Sequence, residues 1–402
     1  MKVLQVNCVY GKGSTGKLVR DIHLALQAEK IASAVCYGRG EKTDEPNVFK
    51  TCGELYSKCN NLLTRFTGLM YGGCFFSTNR LISRIQKERP DVVHLHCING
   101  YFVNIYRLLA WLKKQRIKTV LTLHAEFPYT ANCGHALECE RWKTGCGSCP
   151  RFRQETKSLL LDRTHRSWSK MYAAFDGFDL LTVVSVSPWL RARAECSPML
   201  QGKRHAVILN GVDTTVFRPR ETDELCKRLG IGEKRVVFHA TASFSDAPAH
   251  LKGGYYVLEL AKQMKNVVFL VAGKHGSELQ PPENVKLLGN LSDREELARL
   301  YSLADVTLLT SRRETFSMPL AESLCCGTPV AGFCAGGPES VALHEYCSFS
   351  EYGDLRTLEQ SVKAYLQEAP EKDAIAEKAR NSYSKEEMCR EYIKLYRDLC
   401  ER

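Results

Sequence analysis

The sequence predicts an α/β protein made of two doubly wound parallel-sheet domains that face each other across a cleft. Short β-branched runs alternate with longer amphipathic helical patterns, which is the order expected when helices cover a parallel sheet. The alternation begins again in the second half of the 402 residues, and this length suits two domains of ordinary size. We expect an N-terminal domain over 1–205, a C-terminal domain over 206–383, and a last helix over 384–402 that packs back on the first domain.

The individual elements follow from these patterns. In the first domain we predict strands over 3–6, 91–96, 119–124, 180–186 and 207–209, and helices over 16–28 and 105–114. A loop rich in turn residues, 210–219, leads into the second domain. There we predict strands over 236–240, 267–271, 285–288, 306–309 and 329–331, and helices over 253–265, 293–302 and 319–326. Ligands of such sheets bind beyond the C-terminal ends of the strands.

Composition narrows the class of protein. With 44% hydrophobic and 25% charged residues, the chain is neither collagen-like nor largely disordered. No uncharged apolar stretch is long enough to span a bilayer, and the first residues predict a strand rather than a signal peptide. Most of the 18 cysteines stand alone in apolar surroundings, which favours a reducing compartment. We therefore expect a cytoplasmic protein.

A loop-to-helix junction in the second half carries two carboxylates, Glu314 and Glu322. Pro319 stands where proline suits the first turn of a helix, and free backbone N–H groups at such a junction form an anion site. Glu322, about one turn into the helix, can accept hydrogen bonds from a ribose diol. The alternative is that Glu322 only complements the helix N-terminus and that Glu314 is a solvated loop residue.

Neighbouring strand-to-helix junctions add residues that suit phosphate. Lys252 precedes Gly253 and Gly254, and a lysine there can neutralise a diphosphate. Gly273 and Gly289 end the next two strands, where the lack of a side chain permits close backbone approach.

These motifs, in this order, resemble glycosyltransferase family 4. The resemblance spans the whole chain and is carried by Asn210-Gly-Val-Asp213 with Phe217 and Pro219, Lys252-Gly253, Ala272-Gly273, Gly289, Ala304-Asp305, Glu314 with Glu322, and Gly327-Thr-Pro-Val330. It implies the GT-B fold, with two Rossmann-like domains across a cleft. It also implies transfer of a sugar from a nucleotide-diphosphate donor with retention of anomeric configuration, and no cofactor for the chemistry.

The resemblance assigns roles in the C-terminal half. Lys252 and the backbone N–H groups of Thr315, Phe316 and Ser317 would bind the donor diphosphate, and Glu322 would hold the ribose. The leaving diphosphate oxygen would take the acceptor proton from the same face of the sugar.

Further roles complete the implied site. Glu314 and His124 would contact the donor sugar, and we expect them, with Lys252, to be catalytic. Gly13 and Ser14 belong to the glycine-rich loop 11–16, which would meet the donor phosphate and the acceptor. The donor-binding set also includes Gly273 and Leu291, the latter in the region that would frame the base.

One departure from the family concerns a missing cation. The family usually has an arginine several residues before the lysine, and 241–251 contains none. His250 or Lys274 would have to replace it. If neither does, donor affinity is low or the enzyme is impaired.

A cysteine cluster follows the strand that ends at His124. Cys133, Cys139, Cys146 and Cys149 have the spacing of a structural zinc site, with His135 as a substitute for the first ligand. Reduced cysteines or one disulfide are the alternative. The neighbouring pair His94 and His96 would be either two metal ligands or, as we expect, a packed strand end.

Three other functions compete with sugar transfer. The segment 11–17 nearly matches a phosphate-binding P-loop, but Leu18 stands where magnesium binding needs Ser or Thr. A zinc-knuckle nucleic-acid-binding protein would use the basic residues of 1–200, which number 29 against 16 acidic ones. These residues are dispersed rather than clustered with aromatics, so we expect no nucleic acid partner. A nucleotide-sugar epimerase of the same fold is the third.

Within the enzyme hypothesis, the basic half has its own explanation. We expect a saccharide acceptor that is lipid-linked, and contact between a positive N-terminal domain and the inner face of an anionic membrane. Candidate docking residues are Lys58, Arg65, Arg80 and Arg84, in a segment with Leu62, Leu63, Phe66, Phe75 and Phe76. The alternative, which the pattern slightly favours, is an amphipathic helix packed on the sheet.

Overall fold

The computed structural model describes residues 1–401, which divide into two compact units. The first unit comprises Met1–Ile208 together with the residues from Cys389 onward, and the second comprises Leu209–Met388. None of the helices within residues 1–401 combines the length and apolar composition needed to cross a lipid bilayer.

The first unit contains one seven-stranded sheet. Its strands are β1 Lys2–Asn7, β2 Ala32–Tyr37, β3 Val48–Lys50, β4 Val92–Leu95, β5 Lys118–Leu123, β6 Leu181–Ser185 and β7 Arg204–Val207. Its helices are α1 Gly13–Ala28, α2 Glu54–Thr67, α3 Phe75–Glu88, α4 Ile105–Lys114, α5 Phe127–Thr130, α6 Phe152–Glu155, α7 Thr164–Phe175 and α8 Pro188–Glu195, with a 3₁₀ turn at Arg141–Lys143. The strand order is β3-β2-β1-β4-β5-β6-β7, and all the pairs are parallel.

The second unit repeats the architecture with six strands. They are β8 Val236–Ser243, β9 Val268–Lys274, β10 Val285–Gly289, β11 Val306–Leu309, β12 Val330–Phe333 and β13 Cys347–Ser350. The helices are α9 Asp223–Leu229, α10 Gly254–Gln263, α11 Arg294–Leu303, α12 Met318–Cys325, α13 Gly337–Val341, α14 Leu355–Gln367 and α15 Lys372–Tyr383. The parallel order is β10-β9-β8-β11-β12-β13. The last helix, α16 Lys385–Glu401, begins in this unit and ends in the first.

Burial explains why these strands form. The central strands are buried on both faces, as expected for parallel sheets covered by helices; in β4, β6, β11 and β12 every residue is buried. In the second unit, Phe269 of β9 and Leu308 of β11 pack with Val257 of α10 and Leu358 of α14 in one core.

The loop at 210–213 is fixed by contacts within the second unit. Val212 N donates to Tyr383 O over 2.7 Å, and Lys385 N donates to Val212 O over 2.9 Å. A Cβ on Gly211 would lie 2.5 Å from the Cα of Lys385, so only glycine fits. The Asp213 carboxylate lies 3.0 Å from Lys385 Nζ. The Asn-Gly-Val-Asp motif therefore joins this loop to the start of α16.

The first unit carries an exposed apolar surface on α2, α3 and the segment 159–161. Nine of the thirteen exposed large apolar side chains of the described residues lie here: Leu55, Leu62, Leu63, Phe66, Phe75, Phe76, Leu159, Leu160 and Leu161. We call this set the α2–α3 patch. These nine side chains do not pack on the sheet. The two helices bury other residues: Ser57, Asn60 and Thr64 in α2, and Ser77, Thr78, Leu81 and Ile85 in α3.

Candidate functional site

The strand order of the second unit reverses between β8 and β11. From these two neighbours the sheet runs outward through β9 and β10 on one side and through β12 and β13 on the other. Ligands of doubly wound sheets bind at this switch point, beyond the C-terminal ends of the strands. Lys252 lies in the loop after β8, and Glu314 lies in the loop after β11. The topology therefore brings the two predicted groups to one place.

Lys252 and Glu314 form an ion pair. Lys252 Nζ lies 2.6 Å from Glu314 Oε1, and the side chains are 32% and 22% exposed. The pair is thus open to solvent and contributes little to folding, since ion pairs at exposed sites are worth about 0–1 kcal/mol. Two further bonds hold the loops together: Thr310 Oγ1 donates to Lys252 O over 3.1 Å, and Arg312 N donates to Leu251 O over 2.8 Å.

Gly253 permits this approach of the two loops. Its φ of +66° is in the left-handed region, and a Cβ there would lie 2.0 Å from Thr310 O. Any side chain would separate the loops and would carry Lys252 away from Glu314. Helix α10 starts at the next residue.

The loop after Glu314 is anchored by its backbone. Glu314 N donates to Ala335 O over 3.0 Å, and Gly337 N donates to Glu314 O over 2.9 Å. Thr315, Phe316 and Ser317 then lead into α12; all three are buried. Ser317 has φ +85° and ψ 92°, a sparsely populated backbone conformation that is costly for a non-glycine residue and often marks ligand-binding loops.

Glu322 lies in α12, half-buried. Tyr301 Oη donates to Glu322 Oε2 over 3.2 Å, and burial raises the pKa of Tyr301 well above its ordinary value. Gly273 lies in the last part of β9, where a Cβ would lie 2.7 Å from Thr241 O. Leu291 follows β10 and is half-buried. The structure thus places Glu322 on the helix after Glu314, and Gly273 and Leu291 at the corresponding ends of the outer strands.

The strand-to-helix loops of the second unit carry further basic residues besides Lys252. His250 Nδ1 is buried and has no hydrogen-bond partner within residues 1–401, and Lys274 is exposed at the end of β9. Arg312 and Arg313 directly precede Glu314, and the backbone of Arg312 is bonded to the Lys252 loop. Sequence reasoning missed these two arginines, although a basic pair beside a candidate site residue was a visible signal.

The loop after β1 is shorter than predicted. Helix α1 begins at Gly13 rather than at 16, so that Gly13 and Ser14 form its exposed first turn. Gly11 N donates to Gly16 O over 2.9 Å and closes the loop. Leu18 is only 6% exposed and packs in the core. A buried leucine at the magnesium-binding position leaves the P-loop alternative without support.

His124, which is half-buried, follows β5 in the first unit and lies next to two buried histidines, His94 and His96. His124 Nε2 lies 3.2 Å from His96 Nδ1, and the rings of His94 and His96 are tilted by 37° with centroids 3.8 Å apart. His94 Nδ1 lies 2.6 Å from Tyr396 Oη of α16. Burial lowers the pKa of His124 to about 4 and the pKa values of the other two well below the usual range. His94 and His96 are therefore a packed strand end, as expected.

The four cysteines of the predicted zinc site, Cys133, Cys139, Cys146 and Cys149, line one small cavity. Within residues 1–401, however, no three His, Cys, Asp or Glu side chains are arranged to hold a metal ion, and His135 does not change this. All four cysteines are free thiols, and burial raises the pKa of Cys146 to about 12. Free thiols are what the reduced-cysteine alternative expects, and the zinc site stays a prediction.

The loop that contains the cysteines is held by a buried ion pair that the sequence did not reveal. Glu126, fully buried, accepts from Arg193 Nε over 2.7 Å, from Tyr129 Oη over 2.6 Å and from Ala136 N. Arg193 also lies over the Trp142 ring, with Cζ 5.1 Å from its centroid. This network fixes the chain that follows His124.

Comparisons with known proteins agree with this geometry. A family model described as "Glycosyltransferase Family 4" matches residues 16–216, and one described as "Glycosyl transferases group 1" matches residues 241–394. The chain is 23% identical to the putative colanic acid biosynthesis glycosyl transferase WcaC of Escherichia coli strain K12, over 99% of this chain and 100% of that protein.

Solved structures share the fold. A glycosyltransferase from Rickettsia africae matches with a TM-score of 0.66 at 15% identity, over 99% of this chain and 98% of that one. HepE of Anabaena, in complex with UDP-glucose, matches with a TM-score of 0.65 at 15% identity, over 99% and 100%. The predicted fold class is thereby confirmed as GT-B. Because the first family model covers half of the sequence, the chain belongs to glycosyltransferase family 4.

Proposed function

We propose that this glycosyltransferase moves a sugar from a nucleotide-diphosphate sugar, with retention of configuration, to a hydroxyl of a lipid-linked saccharide in cell-surface polysaccharide biosynthesis. The observation that carries the proposal is the meeting of Lys252 and Glu314 at the switch point of the second sheet. The complex of HepE with UDP-glucose supports the donor class, and the name of WcaC supports the pathway class.

The diphosphate would replace Glu314 as the partner of Lys252. Glu314 is bonded to Lys252 and precedes the loop that leads into α12, so this arrangement would present the ammonium to an arriving phosphate. A diphosphate is a stronger partner for Lys252 than one carboxylate because it carries more charge. Its arrival would release Glu314 toward the donor sugar.

Lys252 and the N-terminus of α12 would then act on the leaving group. Negative charge grows on the nucleoside diphosphate as the glycosidic bond breaks, and fixed positive groups stabilise it more in the transition state than in the ground state. Glu322 would hold the ribose, and Tyr301, which donates to it, would orient the carboxylate.

The acceptor proton would go to the leaving phosphate oxygen. That oxygen becomes more basic as the bond breaks, and it lies on the face from which a retained product must form. The acceptor hydroxyl supplies the nucleophile in this route, and the chain supplies position and charge. An epimerase of this fold would change the donor sugar with no acceptor present, which separates the two activities in a single assay.

The α2–α3 patch supports contact with a membrane. Its segments are contiguous: Leu159 N donates to Arg65 O over 2.9 Å, and the rings of Tyr56 and Phe76 lie 6.0 Å apart. Phe76 is 79% exposed and Leu160 76%. Large exposed apolar patches of this kind mark protein or membrane interaction sites.

Charge around the patch favours an anionic lipid surface over a protein. Residues 55–87 contain five cations and no Asp or Glu, and Lys58, Arg65 and Arg80 are exposed. Each cation near an anionic bilayer contributes about 1 kcal/mol to the free energy of membrane binding. Apolar rings strengthen this binding when they are buried at the level of the lipid headgroups. We propose that this face docks on the inner face of the membrane, where a lipid-linked acceptor lies.

Thermal shift against nucleotides tests the donor site. We expect at least one of UDP, GDP and ADP to raise the melting temperature of the full chain, and Lys252→Ala to abolish the shift. Lys262→Ala is the matched control, because Lys262 is also a lysine of the second unit paired with a glutamate, Glu259. If no nucleotide stabilises the protein and Lys252→Ala behaves like the parent, the donor assignment is wrong.

A further inference from the structure

Three adjacent strands of the first sheet carry a chain of buried side chains that ends at His124. Gln5 is in β1, His96 follows β4, and His124 follows β5, and these strands are neighbours in the order β1-β4-β5. His96 Nε2 lies 3.2 Å from Gln5 Oε1, and His96 Nδ1 lies 3.2 Å from His124 Nε2. Gln5 is fully buried and His96 is 1% exposed.

The orientation of Gln5 is fixed at the far end of this chain. Gln5 Nε2 lies 3.1 Å from Val19 O in α1. A backbone carbonyl can only accept, so the amide nitrogen must face Val19 and the amide oxygen must face His96. His96 Nε2 therefore carries a proton and donates it to Gln5 Oε1.

The second nitrogen of His96 follows from the charge of the ring. Burial lowers the pKa of His96 well below its usual range, and electrostatic repulsion from His94 and His124 adds to this. A neutral imidazole has one N–H and one lone pair, so His96 Nδ1 is an acceptor. The group that faces it, His124 Nε2, must donate. The nearly coplanar rings, 23° apart with centroids separated by 5.5 Å, suit such an end-to-end hydrogen bond.

We propose that Gln5 and His96 are positioning residues that lock His124 in the tautomer with its proton on Nε2, so that any group meeting His124 Nδ1 must be a hydrogen-bond donor. A sugar hydroxyl is such a group, whereas a carboxylate or a carbonyl oxygen is not. The link to a sugar rests on the proposed function, whereas the tautomer does not. The lock starts at α1, whose first turn holds Gly13 and Ser14, and thus ties the glycine-rich loop to His124.

Long-range proton–nitrogen NMR of the full chain, labelled with ¹⁵N-histidine, tests the lock. His124→Asn assigns the signals of His124 by their disappearance. We expect the parent to show protonated Nε2 and unprotonated Nδ1 at His124, and a neutral His96. A parent His124 with its proton on Nδ1, or a charged His96 at pH 7, would overturn the proposal.

Gln5→Glu tests the direction of the chain with little change of shape, although it also removes the hydrogen bond to Val19 O, which a carboxylate cannot donate. A carboxylate accepts from His96 Nε2 more strongly and favours a doubly protonated His96, whose Nδ1 then donates to His124 Nε2. We expect the His124 tautomer to reverse and kcat/KM for the donor to fall by about tenfold, the worth of one hydrogen bond. His23→Gln is the control, because His23 is another buried histidine of this unit, bonded to Ser33 and not part of this hydrogen-bond chain. This variant should change neither the tautomer of His124 nor kcat/KM.

The two readouts separate the two proposals. If the tautomer is as described but no nucleotide sugar is turned over, the lock stands and the proposed function fails. If Gln5→Glu reverses the tautomer and leaves kcat/KM unchanged, His124 does not use Nδ1 in the reaction and its positioning role is refuted.

Discussion

Lys252 Nζ and Glu314 Oε1 lie 2.6 Å apart, although the two residues are 62 positions apart in the chain. Their loops follow β8 and β11, the two strands from which the second sheet runs outward in opposite directions. The contact is thus a product of topology, and each residue restrains the other in the structure. A substitution at either residue should therefore also affect the position of the other.

Glu314→Gln should lower turnover by at least about tenfold, because it removes the charge expected near the reacting carbon. Nucleotide affinity should be kept, since Lys252 loses a competitor for the diphosphate. Initial rates and calorimetric nucleotide binding measure the two effects. Glu351→Gln, at an exposed glutamate, should leave both unchanged. Equal losses of turnover and affinity would contradict the role given to Glu314.

Gly253→Ala should destabilise the second unit and weaken nucleotide binding together. Both Gly253 and Gly232 have positive φ, +66° and +64°, but a Cβ on Gly232 meets no atom within 4 Å. Gly232→Ala therefore isolates the backbone strain, about 1–2 kcal/mol, and Gly253→Ala adds the clash with Thr310 O. Melting temperatures with and without nucleotide measure the difference. Similar losses in the two variants would show that the loops can separate without consequence.

His239 should make the stability of the second unit depend on pH. Burial lowers the pKa of His239 to about 4, and the charge of Lys252 adds to this, against a hydrogen bond to Leu308 O. Below about pH 6.5, His239 becomes protonated in the unfolded chain but stays neutral in the folded protein. The free energy of unfolding should therefore decrease as the pH is lowered from about 6.5 to 4. This residue contributes up to about 1.4 kcal/mol per pH unit to the decrease.

Urea unfolding at several pH values measures this dependence. His239→Asn keeps a donor toward Leu308 O but cannot titrate, so its stability should fall less steeply as the pH is lowered. Parallel slopes for parent and variant would show that His239 is protonated in the fold as easily as in the unfolded chain.

The α2–α3 patch should bind vesicles that contain anionic lipid. Phe76→Ser with Leu160→Ser should reduce flotation through the loss of apolar burial, and Lys58→Glu with Arg65→Glu should reduce it through charge. The controls are Leu24→Ser, at an apolar side chain exposed elsewhere in the unit, and Lys114→Glu, at an exposed lysine of α4. Binding that is insensitive to salt and to all these changes would refute docking through this face.

Much of the fold could be predicted because buried parallel strands have a strong local signature. β11 lies at 306–309 and α4 at 105–114, as predicted. The pattern did not indicate β2 or β3, since Ala32–Tyr37 opens with small residues and Val48–Lys50 is only three residues long. The start of α1 was misplaced because glycines at 11–16 indicate a loop, while Gly13 and Ser14 are helical.

The site was predicted by resemblance more than by local physics. A single sequence places Lys252 and Glu314 on loops but cannot show that they form an ion pair. The tautomer of His124 depends on Gln5 and Val19, which are distant in the chain. The cysteine spacing suggested a metal, whereas the loop geometry is set by Glu126 and Arg193, residues with no motif of their own.

The first unit is assembled from two separate parts of the chain. Its buried His94 and Thr122 share hydrogen bonds with Tyr396 and Tyr392 of α16, over 2.6 Å and 2.9 Å. During synthesis the ribosome releases the whole of residues 209–388 before these tyrosines emerge. Until α16 emerges, the buried histidines of the N-terminal sheet lack the helix that covers them, so the first unit cannot complete its fold before the second unit has been synthesised.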